Sequence, residues 1–169
     1  MIAIEPLAPD HFPLVAGWLA EPSINQWLTA EWRGRSVEPA VVAIAVRNRR
    51  NRLFLVRDEG VPRGIVGFAD LEPDDRCAMV WYVLGDQASG RKGIISAAVG
   101  QLCRHAFDSL GLSCVYAWIM RPNAASRRVL EKNGFRESGT LRRAAILRGE
   151  PVDRVYFDLT PQDLAPPRP

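Results

Sequence analysis

CAMVWYVLGDQASGRKGIISAAVGQLCRHAFDSLGLSCVYAWI, residues 77–119, changes its apolar rhythm twice, and those changes decide the fold. Residues 77–84 and 113–119 are short apolar runs rich in β-branched and aromatic side chains, each of strand length. Between them Ile94, Ile95, Ala98, Val99, Leu102, Ala106, Phe107 and Leu110 recur at the spacing of an amphipathic helix that stops at Gly111. A strand, a long helix and a second strand make a crossover, which sets two strands parallel in one sheet.

Working outward, residues 52–58, 64–72 and 77–84 are β-like and are joined by turn chemistry at 59–62 and 73–75, so they predict an antiparallel meander. Residues 2–7 predict a first strand. Residues 10–20 predict a helix with Phe12, Val15, Trp18 and Leu19 turned inward, interrupted by Pro22; 23–28 and 37–47 resume helical patterns. After residue 119 comes a capped helix, then a hairpin of 141–147 and 152–159 around Gly149-Glu150. The order predicts an α/β (α+β) fold: a mixed seven-stranded sheet flanked by four or five helices. Residues 1–160 are expected to form one domain. Residues 161–169, ending in Ala-Pro-Pro-Arg-Pro, are expected to be a flexible tail.

Composition narrows the function classes. With 169 residues, 47% apolar against 24% charged, the chain can bury one substantial core. No apolar run approaches the ~20 residues of a membrane span, and the N-terminus lacks a signal-peptide pattern, so a cytoplasmic protein is expected, with no membrane partner. The net charge is +3, and all but two of the 22 cationic residues are arginine, spread along the chain. A mildly basic surface suits an anionic nucleotide cofactor or RNA. An RNA-binding domain would interleave aromatics with its basic run, and residues 47–52 carry none, so nucleic acid is not an expected partner. Cys77, Cys103 and Cys114 are odd in number and lack metal-ligand spacing; buried free thiols are expected, and no metal.

Two segments carry the chemistry. Ser89-Gly-Arg-Lys-Gly-Ile-Ile-Ser96 lies between a strand and a helix, where its glycines let successive N–H groups converge at the positive helix end, a geometry suited to a diphosphate or to a plain tight turn. NAASRRVLEKNGF, residues 123–135, reads as a short helix capped by Asn123 and stopped by Gly134, with Val129 and Leu130 as its buried face.

These residues resemble the GNAT superfamily of acyl-CoA N-acyltransferases, whose RimJ/RimL-type branch carries an Asn-x-x-Ser, a Leu-Glu-Lys and an Asn-Gly-Phe at this spacing; the order of elements is also that of the GNAT fold. The resemblance implies acetyl-CoA as acyl donor and a primary amine as acceptor, either a protein N-terminus or a small molecule such as an amino sugar or antibiotic. The enzyme would be a monomer or homodimer. It implies that the strands at 77–84 and 113–119 splay, that Tyr82, Val83 and Leu84 pair with the pantetheine arm, and that Gly90, Arg91, Lys92, Gly93, Ile94, Ile95 and Ser96 cradle the diphosphate. Aligned on Gly93, the loop has Gly90 where the family pattern has Arg or Gln, and the bulkier Ile95 at the final small position, which leaves Arg91 and Lys92 to neutralise the phosphates.

Transfer to an amine needs a base for the attacking nitrogen and an acid for the departing thiolate. Many relatives place a tyrosine where Glu131 stands, so Ser126 is the candidate acid, with Asn123 orienting the cofactor; for both, helix capping is the competing role. Met79 replaces a Glu common in the branch. Glu72, and after it Asp70, are the candidate bases, since strand alternation puts them on one face. Trp27 and Trp32 are candidates for the acceptor wall or for sealing the helix pair. The same fold without turnover would be a non-catalytic acyl-CoA sensor.

Overall fold

The structure, a computed structural model, describes residues 1–90 and 92–164. Seven strands form one sheet: β1 (Ile2–Pro6), β2 (Arg52–Asp58), β3 (Val61–Glu72), β4 (Cys77–Leu84), β5 (Cys114–Met120), β6 (Arg136–Leu147) and β7 (Glu150–Leu159), in the spatial order β1-β2-β3-β4-β5-β7-β6. Neighbours are antiparallel except β4 and β5, which the crossover helix sets parallel. The helices are α1 (Phe12–Ala20), α2 (Pro22–Asn25), α3 (Pro39–Arg47), α4 (Ile94–Asp108) and α5 (Ala124–Lys132). The mixed seven-stranded sheet and five helices are those the sequence predicts.

Strand alternation feeds two cores, one on each face of the sheet. The inward stripe of α4, from Ile94 and Ile95 through Leu102, Cys103 and Ala106, packs with Leu130 and Phe135 on Val66, Phe68, Val80, Val115, Ala117 and Phe157. On the other face Val15, Leu19, Ile24 and Val42 of α1 to α3 cover Leu53, Leu55, Ile65 and Val83. Helix α5 ends as its sequence predicts. Gly134 takes φ +84°, Phe135 N–H bonds Leu130 O at 3.1 Å and Gly134 N–H bonds Glu131 O at 3.1 Å, so the chain reverses and drops Phe135 beside Leu130.

Several boundaries differ from expectation for local reasons. β6 starts at Arg136 instead of 141; it is an edge strand, polar and mostly exposed over its first half, so it shows no alternation to read. The helix expected at 23–28 shrinks to Pro22–Asn25, and the loop beyond it is held by buried Asn25, whose Nδ2 donates to Leu19 O (2.9 Å) and Trp32 O (3.0 Å) while its Oδ1 accepts from Gly34 N–H (2.7 Å). Of the expected tail, Pro161–Asp163 form a 3-10 turn; Asp163 accepts from Thr160 Oγ1 (2.7 Å) and pairs with Arg136, and Leu164 packs on the core. Residues 165–169 lie outside the described residues. Only Cys103 is fully buried: Cys77 and Cys114 are half-buried and face each other across β4 and β5, a pairing that sequence spacing does not reveal.

Candidate active site

The parallel ladder between β4 and β5 is short. It pairs Cys77 with Cys114, Ala78 with Val115 and Met79 with Tyr116, then stops, although β4 stays paired with β3 up to Leu84 and β5 stays paired with β7 up to Met120. Each strand is anchored on its outer side, so the inner edges diverge into a fork with unladdered main chain. Gly85 N–H bonds Arg63 O at 2.9 Å, so Gly64 and Leu84 form a non-hydrogen-bonded pair. Alternation then aims the main-chain groups of Tyr82 and Leu84 into the fork, beyond the last rung of the ladder at Met79 and Tyr116. The main chain of Val83, by contrast with the expectation, is committed to Ile65 of β3. Gln87 Nε2 already donates to Leu84 O at 2.5 Å.

A cavity of about 720 Å³ runs through the fork. Met79, Trp81, Trp118 and Met120 line it from one face of the sheet, and Val80, Tyr82, Ala117, Ile119, Asn123 and Ser126 from the other. Helix α5 sets its first turn at the open end, because Asn123 Oδ1 accepts from Ser126 N–H at 3.1 Å and Asn123 N–H bonds Met120 O at 2.8 Å. Asn123 therefore fills the capping role. Ser126 keeps its hydroxyl for another partner: Tyr82 Oη stands 2.7 Å from Ser126 Oγ and donates to Ser126 O at 3.1 Å. Burial pushes the Tyr82 phenol far above its ordinary range, more than the Ser126 hydrogen bond lowers it, so Tyr82 keeps its proton. Sequence reasoning assigned Tyr82 only through its main chain; its side chain is a second hydroxyl at the site. The signal is absent from the sequence because the partners lie 44 positions apart.

At the α4 end, Gly93 takes φ +73° as the N-cap, and no side chain among the described residues caps the helix. The N–H groups of Ile94, Ile95 and Ser96 thus open the first turn without intrahelical acceptors. Lys92 is exposed beside them, and Gly90 closes a preceding 3-10 turn. Arg91 lies outside the described residues. Ile95 is buried in the core, with its Cδ1 reaching toward Gly64, so its bulk points away from the helix mouth. Ser96 is tied to α5, its Oγ and O accepting from Asn133 Nδ2 at 3.2 and 3.0 Å. That bond gives Asn133, of the Asn-Gly-Phe triplet, the task of fastening the two helices that flank the fork.

The two carboxylates part company. A register shift separates Ala69 from Glu72, and Asp70 adopts φ +49° within that bulge, so strand alternation no longer holds. Asp70 lines the cavity, 3.8 Å from Arg50 and close enough to Tyr116 to add to the burial that raises that phenol. Glu72 is absent from the cavity wall and pairs with Arg50 at the surface. The expected order of these residues is therefore reversed by geometry. Trp27 and Trp32 both line the cavity, with the Trp32 ring 6.5 Å from Trp81. Thr29 and Arg154, which sequence reasoning did not single out, share that wall.

The chain as a whole has relatives among known proteins. The family profile described as acetyltransferase (GNAT) domain matches residues 2–136. The uncharacterized N-acetyltransferase YoaA of Bacillus subtilis is 33% identical over 101 residues, 59% of this chain, and the match spans 56% of that relative, little more than half its length. Among solved structures, the spermidine N-acetyltransferase of Vibrio cholerae in complex with CoA and spermine superposes with a TM-score of 0.86 at 16% identity, covering 96% of both chains. RimJ of Mycobacterium smegmatis in complex with CoA-disulfide gives a TM-score of 0.81 at 21% identity, covering 98% of this chain and 84% of that one. At such identities the likeness to the two solved structures is one of fold.

Proposed function

This chain belongs to the GNAT acetyltransferase family, and on that footing we propose that it moves an acetyl group from acetyl-CoA to a primary amine, by direct attack of the amine on the thioester. The fork carries the reading. An edge of unladdered main chain at Tyr82 and Leu84 suits a pantetheine arm, and the open first turn of α4 with Lys92 suits a diphosphate. When bound there, acetyl-CoA supplies an acetyl group activated as a thioester.

The chain's own residues do the rest. Asp70 on the cavity wall accepts a proton from the incoming ammonium. Asn123 and Ser126 orient the reacting end, and Ser126 Oγ holds a proton for the departing sulfur. Tyr82 passes Ser126 Oγ a replacement proton across their hydrogen bond and is reprotonated through solvent by the proton that the nitrogen sheds as the amide forms, so no buried phenolate remains. Four indoles wall the acceptor side: Trp27, Trp32, Trp81 and Trp118. They favour a small-molecule amine over a protein N-terminus, since stacking surface on several sides grips a compact ligand.

The direct test is release of free thiol from acetyl-CoA in the presence of an amine panel, with Ser126→Ala as control. Amine-dependent release that falls at least about 10²-fold in S126A supports the proposal. Tight acetyl-CoA binding with no release by any amine contradicts it and leaves a sensor.

A further inference from the structure

The acceptor side of the cavity holds a cation that this reaction does not use. Arg154 of β7 lays its guanidinium over the Trp118 ring, 4.0 Å from the centroid, on the cavity wall. Its Nε is buried and has no hydrogen-bond partner among the described residues. Among the described residues no ion pair reaches Arg154; its chain neighbour Asp153 is paired with Arg121 at 3.0 Å. Arg33 adds a second cation, placing Nη1 3.9 Å from Sδ of Met120, the residue directly opposite Arg154 across β5 and β7. Thr29 also lines the cavity, and its Oγ1 is buried without a partner among the described residues. Buried polar atoms are normally satisfied, so two orphans on residues lining one cavity point to a ligand group that satisfies them.

We infer that the acceptor is an amine that also carries a carboxylate, of the amino-acid class, with its carboxylate read by Arg154 and Thr29. The inference rests on the acetyl-transfer reading and names that reaction's substrate. Charge placement supports it. Asp70 stands by Tyr116, whereas Arg154 stacks on Trp118, one pleat repeat or ~7 Å further along β5. A zwitterion therefore meets a carboxylate at its ammonium and a guanidinium at its carboxylate. The planar guanidinium fork matches a carboxylate in two hydrogen bonds. The four indoles around it suit an apolar or aromatic side chain.

The test compares the twenty amino acids with their carboxamides as acceptors for acetyl-CoA, on wild type, Arg154→Met and Arg154→Lys. R154M keeps an apolar stem on Trp118, and its thermal melting confirms the fold. The best amino acid should exceed its own carboxamide by at least about tenfold in kcat/KM on wild type, chiefly through KM. The ratio should approach one in R154M and recover in part in R154K. Equal use of acids and amides, or a ratio that survives R154M, overturns the inference and leaves acetyl transfer standing. A second arm follows tryptophan fluorescence with N-acetyl amino acids and their carboxamides in the presence of coenzyme A. If no amine is acetylated the transfer reading fails, and carboxylate-selective binding abolished in R154M still upholds Arg154 as the reader of a ligand carboxylate. Absence of both binding and turnover overturns it.

Discussion

Replacing Tyr82 by Phe removes one oxygen and leaves the ring packed against α4, so its two consequences can be read separately. The hydroxyl makes a 2.7 Å contact with Ser126 Oγ and a 3.1 Å bond to Ser126 O. Ser126 is half-buried and can turn its hydroxyl to water, so the net stability loss is that of one hydrogen bond, about 1 kcal/mol. For a chain of this size that lowers Tm by about 2–4 °C. The kinetic loss is larger. If Tyr82 restores the proton that Ser126 gives to the sulfur, removing it lowers kcat by about 10²-fold, the low end for general acid catalysis because Ser126 remains. KM should hardly move, since the pair acts on a group that gains charge only in the transition state. Because the two hydroxyls act in series, Y82F combined with Ser126→Ala should lose no more than the worse single variant. Thiol release at saturating amine measures all three. A Y82F enzyme that keeps kcat within about threefold of wild type, or losses that multiply in the double variant, refutes the relay.

Further outcomes follow from the same geometry. Asp70→Asn should lower kcat/KM by about 10²-fold or more while Glu72→Gln stays within about threefold, because only Asp70 lines the cavity; the reverse ranking in initial-rate assays contradicts the assignment. Gly85→Ala should destabilise by about 1–3 kcal/mol by urea denaturation, since an added Cβ would sit 2.0 Å from Trp18 Cδ2 on a rigid ring; an unchanged midpoint contradicts that contact. Burial raises the Cys103 thiol from 9.0 to about 12 and raises Tyr82 as well. The folded state thus holds protons that the unfolded chain releases, and stability is fully present below about pH 9 and is lost as pH climbs toward about 12. The urea midpoint should accordingly fall between about pH 8 and about pH 10.5, and a rise would contradict the burial of these groups.

What the sequence disclosed follows from which interactions are local. The crossover is legible because Ile94, Ala98, Leu102 and Ala106 repeat at helical spacing between two apolar runs, and the cap and stop of α5 are written in Asn123 and Gly134 themselves. The fork was expected through resemblance alone, since nothing in residues 77–84 or 113–119 says where a ladder ends. The reversal of Asp70 and Glu72 was hidden because a bulge depends on the register with Met79 and Cys77 across the sheet. Tyr82 and Arg154 were missed for a related reason. Tyr82 reads as one more strand aromatic until α5 brings Ser126 to it, and Arg154 reads as one of many arginines until β7 lays it over Trp118.

A crystal structure of the protein grown with coenzyme A tests the central claim most directly. Pantetheine amides should bond the main chain of Tyr82 or Leu84, the diphosphate should rest on the first-turn N–H groups of α4, and the sulfur should lie within hydrogen-bond reach of Ser126 Oγ. A cofactor seated away from the fork, or β4 and β5 found zipped together beyond Met79 and Tyr116, would contradict it.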